Sequence, residues 1–184
     1  MALTTLDIKE PGLNVLPPGV ERHVIVAGGL TGVQIFPDDE IEIINDEGNQ
    51  VCEITCFNKD GKYDLGILNL KENAKGNFIK KILNNNDESS LITNYQLKKR
   101  NLNVNTSKSS IVFDEDTPSG EKLKLKSKDK CYVIFSAPNN EMLISDQNPS
   151  GDLTLFIKRA KIKNDKELTI IPDPMYEPNY EKNI

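Results

Sequence analysis

Apolar and polar residues alternate on both sides of a short turn sequence in the first third of the chain. Isoleucine and glutamate alternate over residues 40–45, and apolar residues recur through 49–57. Between them stands Asn45-Asp-Glu-Gly-Asn49, whose residue types favour turns, and Gly48 can adopt a positive φ without steric cost. A period of two around such a cluster is typical of a β-hairpin, so strands 40–45 and 49–57 are predicted to pair with each other.

Further strands are predicted wherever a short apolar or alternating run is bounded by turn residues. Residues 22–36 are expected to form one or two strands, broken at a glycine pair. Later strands are expected at 110–113, 121–126, 131–135 and 152–158. Leucines alternate strictly with lysines in 121–126, so Leu123 and Leu125 should point inward, whereas the continuous apolar run at 131–135 predicts a buried strand.

A helical periodicity interrupts this series of strands. Within residues 75–84, one helical stripe holds the apolar side chains Phe78, Ile79, Ile82 and Leu83. A second short helix is predicted to follow, with Ser89 or Ser90 as its N-cap. Its expected apolar face consists of Leu91, Ile92 and Tyr95.

Short strands separated by frequent glycine and proline turns predict a mainly β fold, either a barrel or a sandwich. A short helical insert at about 75–100 would cover one face or one end of it. Residues 1–21 are interpreted as an extended lead-in and 22–171 as a single β-rich domain. The proline-rich segment 172–184 is interpreted as a linker to a further domain.

Charge and composition exclude several classes of partner. The formal net charge of −5 argues against a sequence-wide attraction to nucleic acid or to an anionic membrane. The sequence contains no apolar run of the ~18 residues that a spanning helix needs. An odd number of cysteines and the absence of a secretion signal predict a reduced, cytoplasmic protein.

The residue types that usually carry catalysis are scarce. The single histidine, His23, lies in a Val/Ile-rich strand and is interpreted as a partly buried polar side chain. Cys52 and Cys56 should lie on one face of a strand, about 13 Å apart, which is too far for a shared metal or a disulfide. Together with Cys131 they are predicted to pack in the core, so no catalytic residue and no metal ligand is assigned.

Two other patterns are interpreted structurally. Gly28-Gly29 is followed by another strand rather than a helix, so a bend or bulge is expected instead of a phosphate-binding loop. The basic residues Lys122, Lys124 and Lys126 are expected to form a solvated strand face, the alternative being a docking surface for an acidic partner domain.

Polar residues around the first turn are the candidates for a ligand-binding site, namely Asp46, Asn49, Gln50 and Glu53. A β-bulge would be needed to align Gln50 with Glu53. A Glu53 carboxyl buried among its apolar neighbours would have a raised proton affinity. The alternative is that Gln50 and Glu53 face solvent on a sheet edge.

Several short motifs, in order, resemble the urea-carboxylase-associated domain family. The run Asp39-Glu-Ile-Glu-Ile-Ile-Asn-Asp-Glu-Gly-Asn-Gln-Val-Cys-Glu53 is similar to that family's signature around Gly-Asn-Gln. Gly48, Asn49, Gln50 and Glu53 match the signature, and Asp46 matches its earlier acidic position. The closing strands of the family resemble residues 116–123, 130–138, 147–157 and 159–160. The resemblance covers about residues 17–161.

The chain is most similar to the copy of this domain at the N-terminus of long proteins that end in a glycine-cleavage T-protein (aminomethyltransferase) domain. That resemblance implies a parent protein acting on N-methyl or related amines, with tetrahydrofolate as one-carbon acceptor and no cofactor in this domain. Two positions depart from the family. A Cys/His-rich segment of the stand-alone relatives is replaced by an Asn/Lys-rich insert, and the family's Asp after Gly-Asn-Gln is Glu53.

Two functions follow as hypotheses. The first is an accessory, non-catalytic domain of a larger tetrahydrofolate-dependent aminomethyltransferase-like enzyme, which packs on neighbouring domains or shapes a substrate path. The second is a domain that binds or hydrolyses a small methylated amine or a urea- or guanidine-like molecule near Gln50 and Glu53.

Overall fold

The computed structural model describes residues 16–73, 77–139 and 151–160 of the chain. The strands are β1 (Val20–Ile25), β2 (Leu30–Ile35), β3 (Glu40–Asn45), β4 (Cys52–Asn58), β5 (Ser110–Phe113), β6 (Glu121–Lys126), β7 (Cys131–Ser136) and β8 (Leu153–Lys158). The helices are α1 (Phe78–Leu83) and α2 (Glu88–Lys99), with short 3₁₀ turns at Leu65–Leu68 and Val104–Thr106. The predicted linker at 172–184 lies outside the described residues.

The strands form two antiparallel four-stranded sheets, in the orders β1-β8-β3-β6 and β2-β7-β4-β5. Apolar side chains from both sheets share one buried cluster, which includes Ile35, Ile43, Ile54, Val133 and Leu155. The sheets therefore pack face to face and are not closed into a barrel. The predicted mainly β fold is confirmed, in its sandwich form.

The predicted hairpin between strands 40–45 and 49–57 is wrong, although both strands form. β3 pairs with β6 and β8, and β4 pairs with β5 and β7, so the two strands lie in different sheets. The turn between them carries the chain from one sheet to the other. Period-two alternation identifies the face on which a residue lies, but it does not identify the neighbouring strand.

The crossing turn packs against a second turn that precedes β6. The Asn49 N–H donates to the Thr117 carbonyl at 2.7 Å. Gly48 has a φ of 80°, and a Cβ at this position would lie 2.6 Å from the backbone nitrogen of Ser119. Glycine is therefore needed at position 48 for two reasons, the positive φ and the close approach of the two backbones.

Both helices cover the outer face of the second sheet. A second apolar cluster joins Ile79 and Ile82 of α1 and Leu97 of α2 to Tyr132 and Ile134 of β7. The two predicted helices are thus confirmed within the described residues, and they leave the first sheet's outer face uncovered by α1 and α2.

The predicted cap and face of the second helix are wrong. The N-cap is Asp87, whose Oδ1 accepts the Ser90 N–H at 2.9 Å, rather than Ser89 or Ser90. The helix buries Ser90, Thr93, Gln96 and Leu97, whereas the side chains of Leu91 and Tyr95 are 57% exposed. Asp87 ends the run Asn84-Asn-Asn-Asp87, and because aspartate and serine are comparable N-caps, residue type alone does not select between Asp87, Ser89 and Ser90.

On the outer face of the first sheet, lysines of β6 lie near acidic residues of β3 and of the turn before it. The Lys124 Nζ lies 3.5 Å from Glu42, and the Lys126 Nζ lies 3.1 Å from Asp38. Leu123 is partly buried against the main core, on the opposite face of β6 from these lysines. The predicted solvated lysine face is confirmed, and at such exposure each ion pair adds little stability. None of the helices in the described residues has the length and apolar character needed to cross a membrane.

Candidate functional site

Gln50 is fully buried at the corner where the chain changes sheets. Its Nε2 donates to the Pro138 carbonyl at 2.8 Å and to the Val51 carbonyl at 2.9 Å. Its Oε1 accepts the Gly151 N–H at 3.0 Å. Because both polar atoms of this amide are already engaged by backbone, Gln50 ties three chain segments together.

Asp46 and Asn49 lie on the outer side of the same corner. The Asp46 Oδ2 accepts the Thr154 hydroxyl at 2.6 Å, and its carbonyl accepts the Ser119 hydroxyl at 2.7 Å. Asn49 adopts the left-handed conformation, with a φ of 57°, which asparagine tolerates better than most residues. These contacts fasten the corner to β8 and to the turn before β6.

Glu53 is 1% exposed and caps a helix that is distant in sequence. Its Oε2 accepts the Ile79 N–H at 2.7 Å, and its Oε1 accepts the Ser109 hydroxyl. The local N-cap residue of α1, Asn77, makes no capping bond with its side chain. The Glu53 carboxyl therefore satisfies a free N–H of the first turn of α1.

The buried environment of Glu53 was partly predictable. A bulge does occur, between Cys52 and Glu53, and burial raises the pKa of the Glu53 carboxyl, with hydrogen bonds from Ser109 and Ile79 opposing that effect. The predicted rise in proton affinity is confirmed, and the solvent-facing alternative is wrong for both Glu53 and Gln50.

The four predicted site residues do not line one shared cavity in the described part of the structure. Gln50 and Glu53 have no hydrogen-bond partner in common. The space beside Glu53 is a cavity of about 10 Å³, which is about the size of one water molecule. The hydrogen bonds of Gln50 at the corner and those of Glu53 at the helix cap are thus two separate buried sets.

A much larger cavity lies elsewhere, on the open side of the sandwich. It is a groove of about 1120 Å³ between β1, β2 and α2. β1 and β2 stand at the ends of their respective sheets, so the groove runs along two sheet edges. Its wall also exposes two apolar side chains near the end of β1, since Val24 is 44% and Val26 is 52% exposed.

The floor of the groove contains Tyr132 and Gly32. Tyr132 is 4% exposed, and its hydroxyl has no hydrogen-bond partner among the described residues. A Cβ on Gly32 would lie 2.1 Å from that hydroxyl, so the ring reaches across β2 only because residue 32 is glycine. The Arg100 guanidinium stacks on the same ring, 4.6 Å from its centroid.

One end of the groove is closed by a buried ionic cluster. Arg159 donates to both Glu21 oxygens, at 2.6 and 2.9 Å, and to Asp39 at 2.7 Å. Burial alone would raise the pKa of Glu21, but hydrogen bonds from His23 and Arg159 lower it to about 2. Arg159 also donates to the Gln34 carbonyl at 2.9 Å, so it joins β1 and β2 across the sandwich edge.

The cysteines pack as predicted. Cys52, Cys56 and Cys131 are free thiols buried in the main core, and burial raises the pKa of the Cys52 thiol. His23 is partly exposed and lies 3.3 Å from Glu21. Within the described ranges, no three side chains of the His, Cys, Asp and Glu types are grouped so that they could hold a metal ion.

The sequence reasoning missed the groove and its polar floor. The residues that line the groove come from β1, β2, β7 and α2, which are far apart in the chain. Arg100 lies in no recognisable sequence motif. One available signal was Gly32, because an isolated glycine inside a strand often marks a close approach.

No model of a known protein family matches the chain. It is 30% identical over 171 residues to a trimethylamine-oxide aldolase from Ruegeria pomeroyi, and the match covers 93% of this chain. The matched region is 22% of that relative, so the chain spans about a fifth of the length of the curated protein it matches. Over most of its length, the chain is therefore a relative of one part of a protein named for a methylated amine oxide.

Proposed function

We propose that this chain is an accessory, non-catalytic β-sandwich module of a larger enzyme that processes a methylated amine. The observation that carries the proposal is the extent of the match: 93% of this chain corresponds to 22% of a trimethylamine-oxide aldolase. A relationship of this kind fits a module that works beside other domains, which would supply the chemistry.

The geometry of the polar residues supports this role. Buried Gln50 uses its amide to bind backbone, and buried Glu53 uses its carboxylate to cap α1. Groups engaged in this way hold the fold in shape and are not free to act on a substrate. The resemblance to urea-carboxylase-associated domains fused to T-protein-like domains agrees with it, and a tetrahydrofolate site would then belong to a neighbouring domain.

A chimera tests this proposal. The segment of the Ruegeria pomeroyi trimethylamine-oxide aldolase that matches this chain over 171 residues would be replaced by the chain itself. We expect the chimera to fold and to turn over trimethylamine oxide, and a version without the segment to lose solubility or activity. A folded chimera that is inactive, beside a fully active version without the segment, would contradict the accessory role.

A second candidate function is binding of a small methylated amine or a urea- or guanidine-like molecule at Gln50 and Glu53. The observation that favours it is the buried carboxyl of Glu53, whose pKa is raised by burial. Thermal unfolding of the chain with trimethylamine, trimethylamine oxide, urea and guanidine would test it. This candidate requires stabilisation that is lost in Glu53→Gln, whereas the accessory role predicts the same response for both proteins.

A further inference from the structure

The hydroxyl of Tyr132 is a buried polar group without a partner in the described residues. It lies on the floor of the groove, above Gly32, in a side chain that is 4% exposed. A buried hydroxyl normally has a hydrogen-bond partner, because a buried donor without a hydrogen bond destabilises the fold. Burial raises the pKa of Tyr132 to about 12, although nearby Arg100 opposes the rise. The phenol therefore keeps its proton at neutral pH and can donate it to a hydrogen bond.

Arg100 brings a cation to the same point. Its Nη1 donates to both the carbonyl and the side-chain Oε1 of Gln96. None of the described carboxylates forms an ion pair with Arg100. The other two guanidinium nitrogens have no hydrogen-bond partner in the same residues. The guanidinium thus brings unpaired donors to the Tyr132 ring, 4.6 Å from its centroid.

The edge of β2 adds a backbone group to this point. Alternate residues of an antiparallel strand turn their N–H and C=O groups to opposite sides. The Ala137 N–H donates to the Gly29 carbonyl, so Gly29 directs its backbone groups towards β7. The N–H and C=O groups of Leu30, Gly32 and Gln34 therefore point away from β7, towards the groove.

At both ends of this edge, a backbone group already forms a hydrogen bond with a side chain. The Leu30 N–H donates to the Ser89 hydroxyl at 3.4 Å, and the Gln34 carbonyl accepts Arg159 at 2.9 Å. Among the described residues, neither the N–H nor the carbonyl of the central residue, Gly32, is engaged by a side chain in this way. An added peptide strand needs several successive backbone pairs, and the bonds to Ser89 and Arg159 interrupt that series at both ends, so a small ligand fits this edge better.

We propose that the groove binds a small carboxylate at a subsite formed by the Tyr132 hydroxyl, the free guanidinium nitrogens of Arg100 and the Gly32 N–H. All three groups donate hydrogen bonds, and a planar carboxylate accepts from an arginine fork and from a hydroxyl together. The rest of the ligand is a short apolar body, because exposed Val24 and Val26 line the same groove. The subsite is independent of the accessory role proposed above.

Nuclear magnetic resonance titration of the whole chain with sodium butyrate tests the subsite. The neutral isostere butyramide, at matched ionic strength, is the control ligand. We expect butyrate to shift the backbone amide signals of Gly32 and Arg100 in a saturable way, and butyramide to bind at least about tenfold more weakly. This measurement on the unaltered chain does not depend on any variant being folded.

Two substitutions identify the donors. Tyr132→Phe removes a hydroxyl that makes no bond in the described residues, and Arg100→Gln removes the charge. Each is expected to weaken butyrate binding by about tenfold, the effect of one hydrogen bond to a charged group. Matched controls on exposed positions of α2, Tyr95→Phe and Lys99→Gln, should leave it unchanged.

The result that would overturn the subsite is equal binding of butyrate and butyramide, or no saturable shift at Gly32 and Arg100. Butyrate affinity that survives both Tyr132→Phe and Arg100→Gln would overturn it equally. A failure of this kind leaves turnover by the chimera untouched, so the two proposals are separable.

Discussion

At the scale of single residues, buried polar side chains form hydrogen bonds between segments that are distant in sequence. Glu53 on β4 holds the first turn of α1, and Gln50 holds Pro138 and Gly151. At α1, Glu53 replaces a local cap that is missing, since the Asn77 side chain makes no capping bond. The identity of these residues is readable in the sequence, but their partners are not, because the contacts span tens of positions.

The charge on Glu53 should make stability depend on pH. Since the pKa of Glu53 in the folded chain is raised above its ordinary value of 4.5, folding stability falls as the pH rises through that value to the folded pKa. In Glu53→Gln this loss is absent, and the free energy of unfolding of the variant should rise relative to the unaltered chain between acid and neutral pH. Urea unfolding at a series of pH values measures it.

An exposed glutamate provides the control for that comparison. Glu115→Gln removes a carboxyl from the surface and should leave the pH profile nearly parallel to that of the unaltered chain. Parallel profiles for Glu53→Gln as well would show that the buried carboxyl does not titrate differently in the folded and unfolded chain.

At the scale of elements, capping decides where a helix begins and which face it buries. Asp87 starts α2, and the buried face then falls on Ser90, Thr93, Gln96 and Leu97. We expect Asp87→Ala to lower the free energy of unfolding by ~1 kcal/mol, the typical cost of losing an N-cap side chain. Asp87→Asn keeps an acceptor at the same place and should cost distinctly less. Equal losses in the two variants, measured by urea unfolding, would argue against capping.

The sequence predicted the strands and helices well and their neighbours poorly. The runs at 110–113, 121–126 and 131–135 all correspond to strands, because period-two alternation and continuous apolar runs are local signals. The pairing of 40–45 with 49–57 failed because β3 already has β6 and β8 on its two sides. The turn residues were recognised correctly, yet they make a crossing between sheets instead of a hairpin.

The candidate site was predictable in part for the same reason. The residue types and the burial of Glu53 could be inferred from its apolar neighbours. The groove could not, since it forms only where the edges of two sheets meet α2 and where Gly32 admits the Tyr132 ring.

At the scale of the whole molecule, Arg159 ties the open edge of the sandwich together. It binds Glu21 on β1, the turn at Asp39 and the Gln34 carbonyl on β2. Because the pKa of Glu21 is lowered to about 2, the contribution of this carboxylate is fully present above its ordinary value of 4.5 and is lost as the pH falls towards 2. Glu21→Gln should destabilise the chain at neutral pH, with a difference that shrinks on acidification.

The surface pair of Glu40 and Lys158 is the matched control for Glu21. Their atoms lie 3.7 Å apart and both side chains are well exposed, so Glu40→Gln should change stability little at any pH. A Glu21→Gln variant that behaves like Glu40→Gln in thermal unfolding between pH 2 and pH 7 would contradict the role of the cluster.

Buried Glu53 caps α1, and we infer that it holds the module together and performs no chemistry. The most direct measurement is turnover of trimethylamine oxide by the chimera, with and without Glu53→Gln, per molecule shown to be folded by circular dichroism. We expect equal turnover within about twofold, a difference of less than ~0.5 kcal/mol in the barrier. A folded Glu53→Gln chimera whose turnover falls about a hundredfold, the scale of a lost acid–base group, would contradict it.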